Sequence, residues 1–176
     1  MLTFTATGGP GLRCTGADKP LTAFDPKAAQ SGDIVLLPLP QENPPATTIS
    51  WPGEYDIAGI TIRGIGQAEG KIVSFITVID GYRCAFLASP LQDWTDPELE
   101  QLGDVHVLAM PAENAKLAQK LLEEIDPRVL ILCPGSQGGI DNDVLKSCGA
   151  LGKEFVAEHK VKGLPAEGRE VVILSK

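Results

Sequence analysis

The run Cys133-Pro134-Gly135-Ser136-Gln137-Gly138-Gly139 puts a thiol, a hydroxyl and a glycine turn within seven residues. It follows the apolar stretch Arg128 to Cys133, and α/β proteins seat ligands beyond the carboxyl ends of parallel strands. Cys133, Gly135 and Ser136 are therefore ligand-site candidates. As a nucleophile, Cys133 would need an electropositive neighbour to become thiolate. Asp141 and Asp143 act the other way, which favours a buried thiol ahead of a turn. Glycine turns also cradle phosphate through backbone N–H groups, but this one lacks the lysine of a Walker loop and the spacing of a dinucleotide fingerprint. Glu54-Tyr55-Asp56 offers carboxylates of the kind used in acid/base work, although Pro52-Gly53 before them points to a tight turn. The two histidines, His106 and His159, stand apart, and His106 between Val105 and Val107 reads as an exposed strand residue. Cys14, Cys84, Cys133 and Cys148 form no Cys-x-x-Cys pair, so reduced, mostly buried thiols are expected rather than a zinc knuckle.

The elements that must carry these residues begin with strands near Leu2 to Thr7, Leu21 to Phe24, Asp33 to Leu39, Ile60 to Ile65 and Lys71 to Ile79. Asp80-Gly81 predicts a tight hairpin between Ser74–Ile79 and Tyr82–Leu87, since both residues tolerate positive φ. Pro38 to Pro45 is too rich in proline for helix or strand and reads as a stiff loop at a strand end. Thr95-Asp96-Pro97-Glu98 predicts a capped helix start with Gly103 as the stop. Val105 to Met110 predicts a strand, and Asn114 to Ile125 a helix with Leu117, Ala118, Leu121, Leu122 and Ile125 on one apolar face. Arg128 to Cys133 is the next strand; strand, helix, strand implies a parallel pair. Val171 to Leu174 is expected to close the sheet.

The segment from Trp51 to Ile65, with Pro52-Gly53-Glu54-Tyr55 as its most specific part, resembles metallo-β-lactamase-fold proteins of the ascorbate-phosphate-lactonase-like branch. Phe24-Asp25-Pro26, Asp33 to Leu37, the Asp80-Gly81 hairpin, Leu99 to Met110 and Asp126-Pro127-Arg128-Val129-Leu130-Ile131 keep the family's order and spacing, from about Leu21 to Pro134. The resemblance implies an α/β (α+β) fold, an αββα four-layer sandwich in shortened form, as one domain over residues 1–176. In that family the strand matching Asp33 to Leu37 leads into Thr-His-x-His-x-Asp-His, which holds metal. Here Leu39, Gln41 and Pro44 stand for the three histidines and Asn43 for the aspartate. The family's His-Leu-Gly-Asp corresponds to Phe86-Leu87-Ala88-Ser89, and its final Pro-x-His to Leu132-Cys133-Pro134. Phe86, Ser89 and Pro134 thus complete a set of vestigial positions, and no metal or other cofactor is expected. The resemblance also favours a structural role for Glu54, because the family keeps that motif apart from its metal. Leu39 and Phe86 are expected to meet across the old site. With Trp51 and Trp94 they would either line an apolar cleft or simply fill the space.

Composition narrows the function classes. With 15 basic and 23 acidic residues the formal charge is -8 and the pI about 4.7, which disfavours nucleic acid and anionic membrane as partners. No apolar run is long enough to span a bilayer and the opening residues lack a signal-peptide pattern, so a cytoplasmic location is expected. The chain is predicted to act as a non-catalytic binding or scaffold module with an unknown small-molecule or protein partner. The alternative is a hydrolase-like enzyme with a metal-free site near Cys133–Gly139. Homo-oligomers are expected, because an apolar strand such as Lys71 to Ile79 must be covered on both faces, either by a second sheet or by another subunit.

Overall fold

A computed structural model describes residues 1–176. In chain order the first five strands are β1 (Leu2–Gly8), β2 (Gly11–Thr15), β3 (Leu21–Ala23), β4 (Ile34–Leu36) and β5 (Thr48–Ile49). There follow β6 (Gly53–Ile57), β7 (Ile60–Gln67), β8 (Ile72–Ile79), β9 (Tyr82–Phe86), α1 (Asp96–Leu102), β10 (Val107–Pro111), α2 (Ala115–Ile125) and β11 (Val129–Cys133). The chain ends with α3 (Asn142–Ser147), β12 (Phe155–Val156), β13 (Glu158–Val161) and β14 (Glu170–Leu174). One sheet has the order β13-β1-β2-β3-β4-β5 and the other β12-β14-β11-β10-β9-β8-β7-β6.

Side-chain alternation explains why the sheets stack. In β1, Leu2, Phe4 and Ala6 turn into the space between the sheets, where they join Val73, Phe75 and Ile79 of β8 and Phe86 of β9. The parallel strands β10 and β11 are apolar on both faces, as buried parallel strands must be. Val107, Ala109, Val129, Ile131 and Cys133 face the first sheet. Leu108, Met110, Leu130 and Leu132 face Leu102, Ala118, Leu121, Leu122, Val144 and Leu145 of the three helices. The first sheet has no α-helix against it, only the 3-10 turn Pro26–Ala28 beside β3. The shortening of the sandwich falls on that layer.

The predicted punctuation is present. Ile79 pairs with Tyr82 around Asp80-Gly81, the Thr95 side chain accepts from Glu98 N, and Gly103 ends α1 at φ 64°. Glu98 does not complete a capping box; its carboxylate accepts from Gln67 Nε2 at 2.6 Å. Two expectations need correction. The strand from Asp33 to Leu39 is shorter, because Pro38 cannot donate and the chain turns away. β14 does not close its sheet, since β12 pairs parallel outside it. Of the two covers open to the strand from Lys71 to Ile79, the fold supplies the facing sheet: Val73, Phe75 and Ile79 lie against the first sheet and Ile76 on the helix side, and Val78 is the large apolar side chain of the strand left exposed.

Between β5 and β6 the chain crosses from one sheet to the other, and Pro52-Gly53-Glu54-Tyr55 marks the crossing. Gly64 and Gly66 of β7 make room for it. A Cβ on Gly64 would lie 2.8 Å from Trp51 O, and one on Gly66 2.7 Å from Pro52 Cγ. The crossing is pinned by Tyr55 Oη donating to Trp51 O and by Trp51 Nε1 donating to Gln41 O, each at 2.8 Å.

Candidate functional site

β9, β10 and β11 run parallel, so the segments that leave their carboxyl ends meet at one rim. Ser89 follows β9, Glu113 follows β10 and Ser136 follows β11. Ser89 Oγ donates to Glu113 Oε1 at 3.0 Å and accepts from Ser136 N at 3.0 Å. The two serine hydroxyl oxygens are 3.1 Å apart. Leu91 N donates to Glu113 Oε1 at 2.6 Å, and Gly135 packs so closely that a Cβ would sit 2.4 Å from Glu113 Oε2. Only glycine fits there without moving the carboxylate. The result is a latch in which the vestigial position Ser89 and the candidates Gly135 and Ser136 come together around a carboxylate that sequence reasoning missed. Glu113 had one usable signal: it stands just past an apolar parallel strand. A hollow of about 300 Å³ opens beside the latch, lined by Glu113, Asn114, Gln137, Gly139 and Asp141 among others.

The remaining candidates scatter. Phe86 is fully buried between the sheets, while Leu39 is 58% exposed and stands outside that cluster. Trp94 is buried on the helix side of the second sheet, and Trp51 is 49% exposed at the crossing. These four residues therefore do not form one apolar cleft: Phe86 lies between the sheets, Trp94 on the helix side, and Leu39 and Trp51 in exposed loops. Gln41 spends its backbone on the loop, donating N–H to Ser50 Oγ at 3.1 Å and accepting from Trp51. Asn43 is exposed in a left-handed conformation, Pro44 is half-buried and Pro134 is buried. Glu54 pairs with Arg63 over the largest groove, about 600 Å³. That groove lies away from the latch, and its lining is nearly all glycine and polar residues, its two charges paired with each other.

Cys133 faces the inter-sheet core at 3% exposure, and burial pushes its thiol up to about 12. Cys84 is likewise pushed to about 12, by burial and by the nearby charge of Asp80. Neither is a nucleophile at neutral pH. His106 is half-buried rather than exposed: Nδ1 accepts from Arg83 N at 2.9 Å and the ring meets Tyr82 edge-on. His159 lies opposite Phe4 in the ladder, 3.3 Å from Glu170.

The metal that the resemblance implies does not fit these residues. Leu39, Phe86 and Pro134 offer no side-chain donor, Gln41 and Asn43 lie in the loop, and nowhere do three His, Cys, Asp or Glu side chains group as a metal would require.

A solved structure from Thermotoga maritima, described as a candidate Zn-dependent hydrolase of the metallo-β-lactamase superfamily, superposes over 99% of both chains with a TM-score of 0.80 at 21% identity. The chain has the metallo-β-lactamase fold. The metallo-β-lactamase-fold protein YhfI from Bacillus subtilis matches over 99% of this chain and 97% of its own, with TM-score 0.62 and 12% identity. A candidate metal-dependent hydrolase from Parabacteroides distasonis matches over 98% and 92%, with TM-score 0.61 and 16% identity. The sequence matches no protein-family model and no curated protein. No helix of this metallo-β-lactamase fold is long and apolar enough to cross a membrane.

Proposed function

We propose that this chain is a non-hydrolytic binding module on the metallo-β-lactamase fold, with its ligand seat in the hollow over Gly135–Gly139. One observation carries the reading: Ser89, at a family ligand position, is engaged on both sides by Glu113 and Ser136. Hydrolytic metals lower the pKa of bound water to about 7 and stabilise the oxyanion, and both effects need a set of donors aimed at one point. Here the polar groups at the strand ends are aimed at one another. A metal-free enzyme would have to use Ser89 as nucleophile with Glu113 as its base. Ser136 N and Oγ already lie 3.0 and 3.1 Å from Ser89 Oγ, so both of its lone pairs have a neighbour, which weighs against that second reading.

The test is titration of protein purified without an affinity tag with Zn and Mn, followed by calorimetry and by a hydrolysis screen of phosphodiesters and lactones. The expected result is no stoichiometric binding and no metal-dependent turnover. One tight site per chain with turnover that rises on loading would overturn the proposal. Metal-independent turnover abolished by Ser89→Ala would favour the enzyme reading instead.

A further inference from the structure

The two sheets end in four edge strands: β13 and β5 in the first, β12 and β6 in the second. An unpaired edge is a template for another chain unless length or charge protects it. β5 and β12 are each two residues long, too short to hold a register. β6 is longer, but an antiparallel copy centred on Tyr55 would place Glu54 against Asp56 twice, and like charges directly opposite are destabilising.

β13 differs on every count. Ala6 N donates to Ala157 O at 2.8 Å, and Phe4 and Leu2 pair in the same register with His159 and Val161. Because antiparallel partners alternate between bonded and unbonded pairs, the peptide groups of 157, 159 and 161 point at β1. Those of Glu158 and Lys160 point away, at the open edge. Both side chains are half-exposed, and within one protomer they pair only with each other, at 3.6 Å.

We propose that β13 is the surface through which two copies of this chain associate, antiparallel about His159, joining their six-stranded sheets into one. In that register Glu158 of each copy lies opposite Lys160 of the other, so both cross-strand pairs are attractive, and residues 158 and 160 exchange the backbone bonds that the edge leaves open. A register centred on Lys160 would instead set two ammonium groups face to face. The interface is a single short strand, so the dimer forms in the micromolar range rather than below it.

The experiment is sedimentation velocity from about 1 to about 500 μM, where affinities of this order are read directly. It compares the wild type with Lys160→Glu, Glu158→Lys and the double exchange, each checked for fold by circular dichroism. Lys71→Glu carries the same change of charge far from the edge and serves as control. The expected result is a concentration-dependent dimer, weakened about tenfold or more by either single change, restored by the double exchange and unaltered by Lys71→Glu. A monomer at every concentration overturns the proposal. So does a dimer indifferent to Lys160→Glu, a failure of the double exchange to restore it, or an equal loss in the control.

Discussion

Replacing Asp33 with Asn tests how the first sheet is held together. Asp33 is 3% exposed at the start of β4. Its carboxylate accepts Arg13 Nε and a terminal guanidinium nitrogen at 2.9 Å each, Thr22 Oγ1 at 2.7 Å and Gln30 N at 3.1 Å. One side chain thereby ties β2, β3, β4 and the turn before it. Burial alone pushes its pKa up, but the bonds from Arg13, Thr22 and Gln30 outweigh it and hold the pKa at about 2, below the ordinary 3.8. That difference corresponds to about 2 kcal/mol of folding stability. Because the folded-state pKa is the depressed one, the contribution is complete above about pH 4 and is lost as pH falls toward 2. Asp33→Asn turns an NH2 group toward the guanidinium and leaves Arg13, whose side chain is 20% exposed, without its counter-charge. Breaking a buried pair costs about 3–5 kcal/mol, and water at Arg13 moves the expected loss to about 2–4 kcal/mol at pH 7. Urea unfolding followed by circular dichroism at pH 7, 4.5, 3 and 2.5 measures it. The gap between wild type and variant should narrow by about 2 kcal/mol below pH 4. A gap under about 0.5 kcal/mol at pH 7, or one that does not change with pH, would refute the reasoning.

Ser89→Ala removes the acceptor of Ser136 N and one donor to Glu113, and should cost about 1–3 kcal/mol; unchanged stability would mean water replaces the hydroxyl fully. Gly64→Ala drives a methyl against the Trp51 carbonyl, a backbone atom, and should destabilise by about 1–3 kcal/mol, read as a shifted urea midpoint at constant slope. All four cysteines are buried and Cys84 and Cys133 are held near pKa 12. Iodoacetamide at pH 8 should therefore label none of them in the folded protein and all of them in urea; rapid labelling of Cys133 without denaturant would show that the rim opens.

Local signals in the sequence were strong where geometry is local. Thr95, Gly103, Asn114 and Asp80-Gly81 each set their own turn or cap, so α1, α2 and the β8–β9 hairpin could be placed from residue type. The parallel pair β10 and β11 was legible because a helix stands between the two strands, and that order needs a crossover. β12 and β13 were not, since Phe155-Val156 and Glu158–Val161 lack any periodic apolar pattern and owe their pairing to β14 and β1, far away in sequence. The same limit governs the site. Ser89 and Ser136 were singled out for unrelated reasons, and 47 positions separate them. Nothing local to Glu113 says that its carboxylate would be the common partner. Leu39 illustrates the opposite error: the family resemblance put it beside Phe86, but a proline on either side sends the loop outward.

β13 also has a consequence in time. It completes the first sheet by pairing Leu2 with Val161 and Phe4 with His159, so the strand that flanks the start of the chain is made ~160 residues after it. At a synthesis rate of roughly 5–20 residues per second, β1 waits about 10 to 30 s on the ribosome with one side open. During the first half of that interval its inward row of Leu2, Phe4 and Ala6 also lacks Val73, Phe75, Ile79 and Phe86, which cover it in the finished fold. The nascent chain is then a partly built sandwich, and any holding factor that binds apolar strands would find its target at β1 until residues 158–161 emerge.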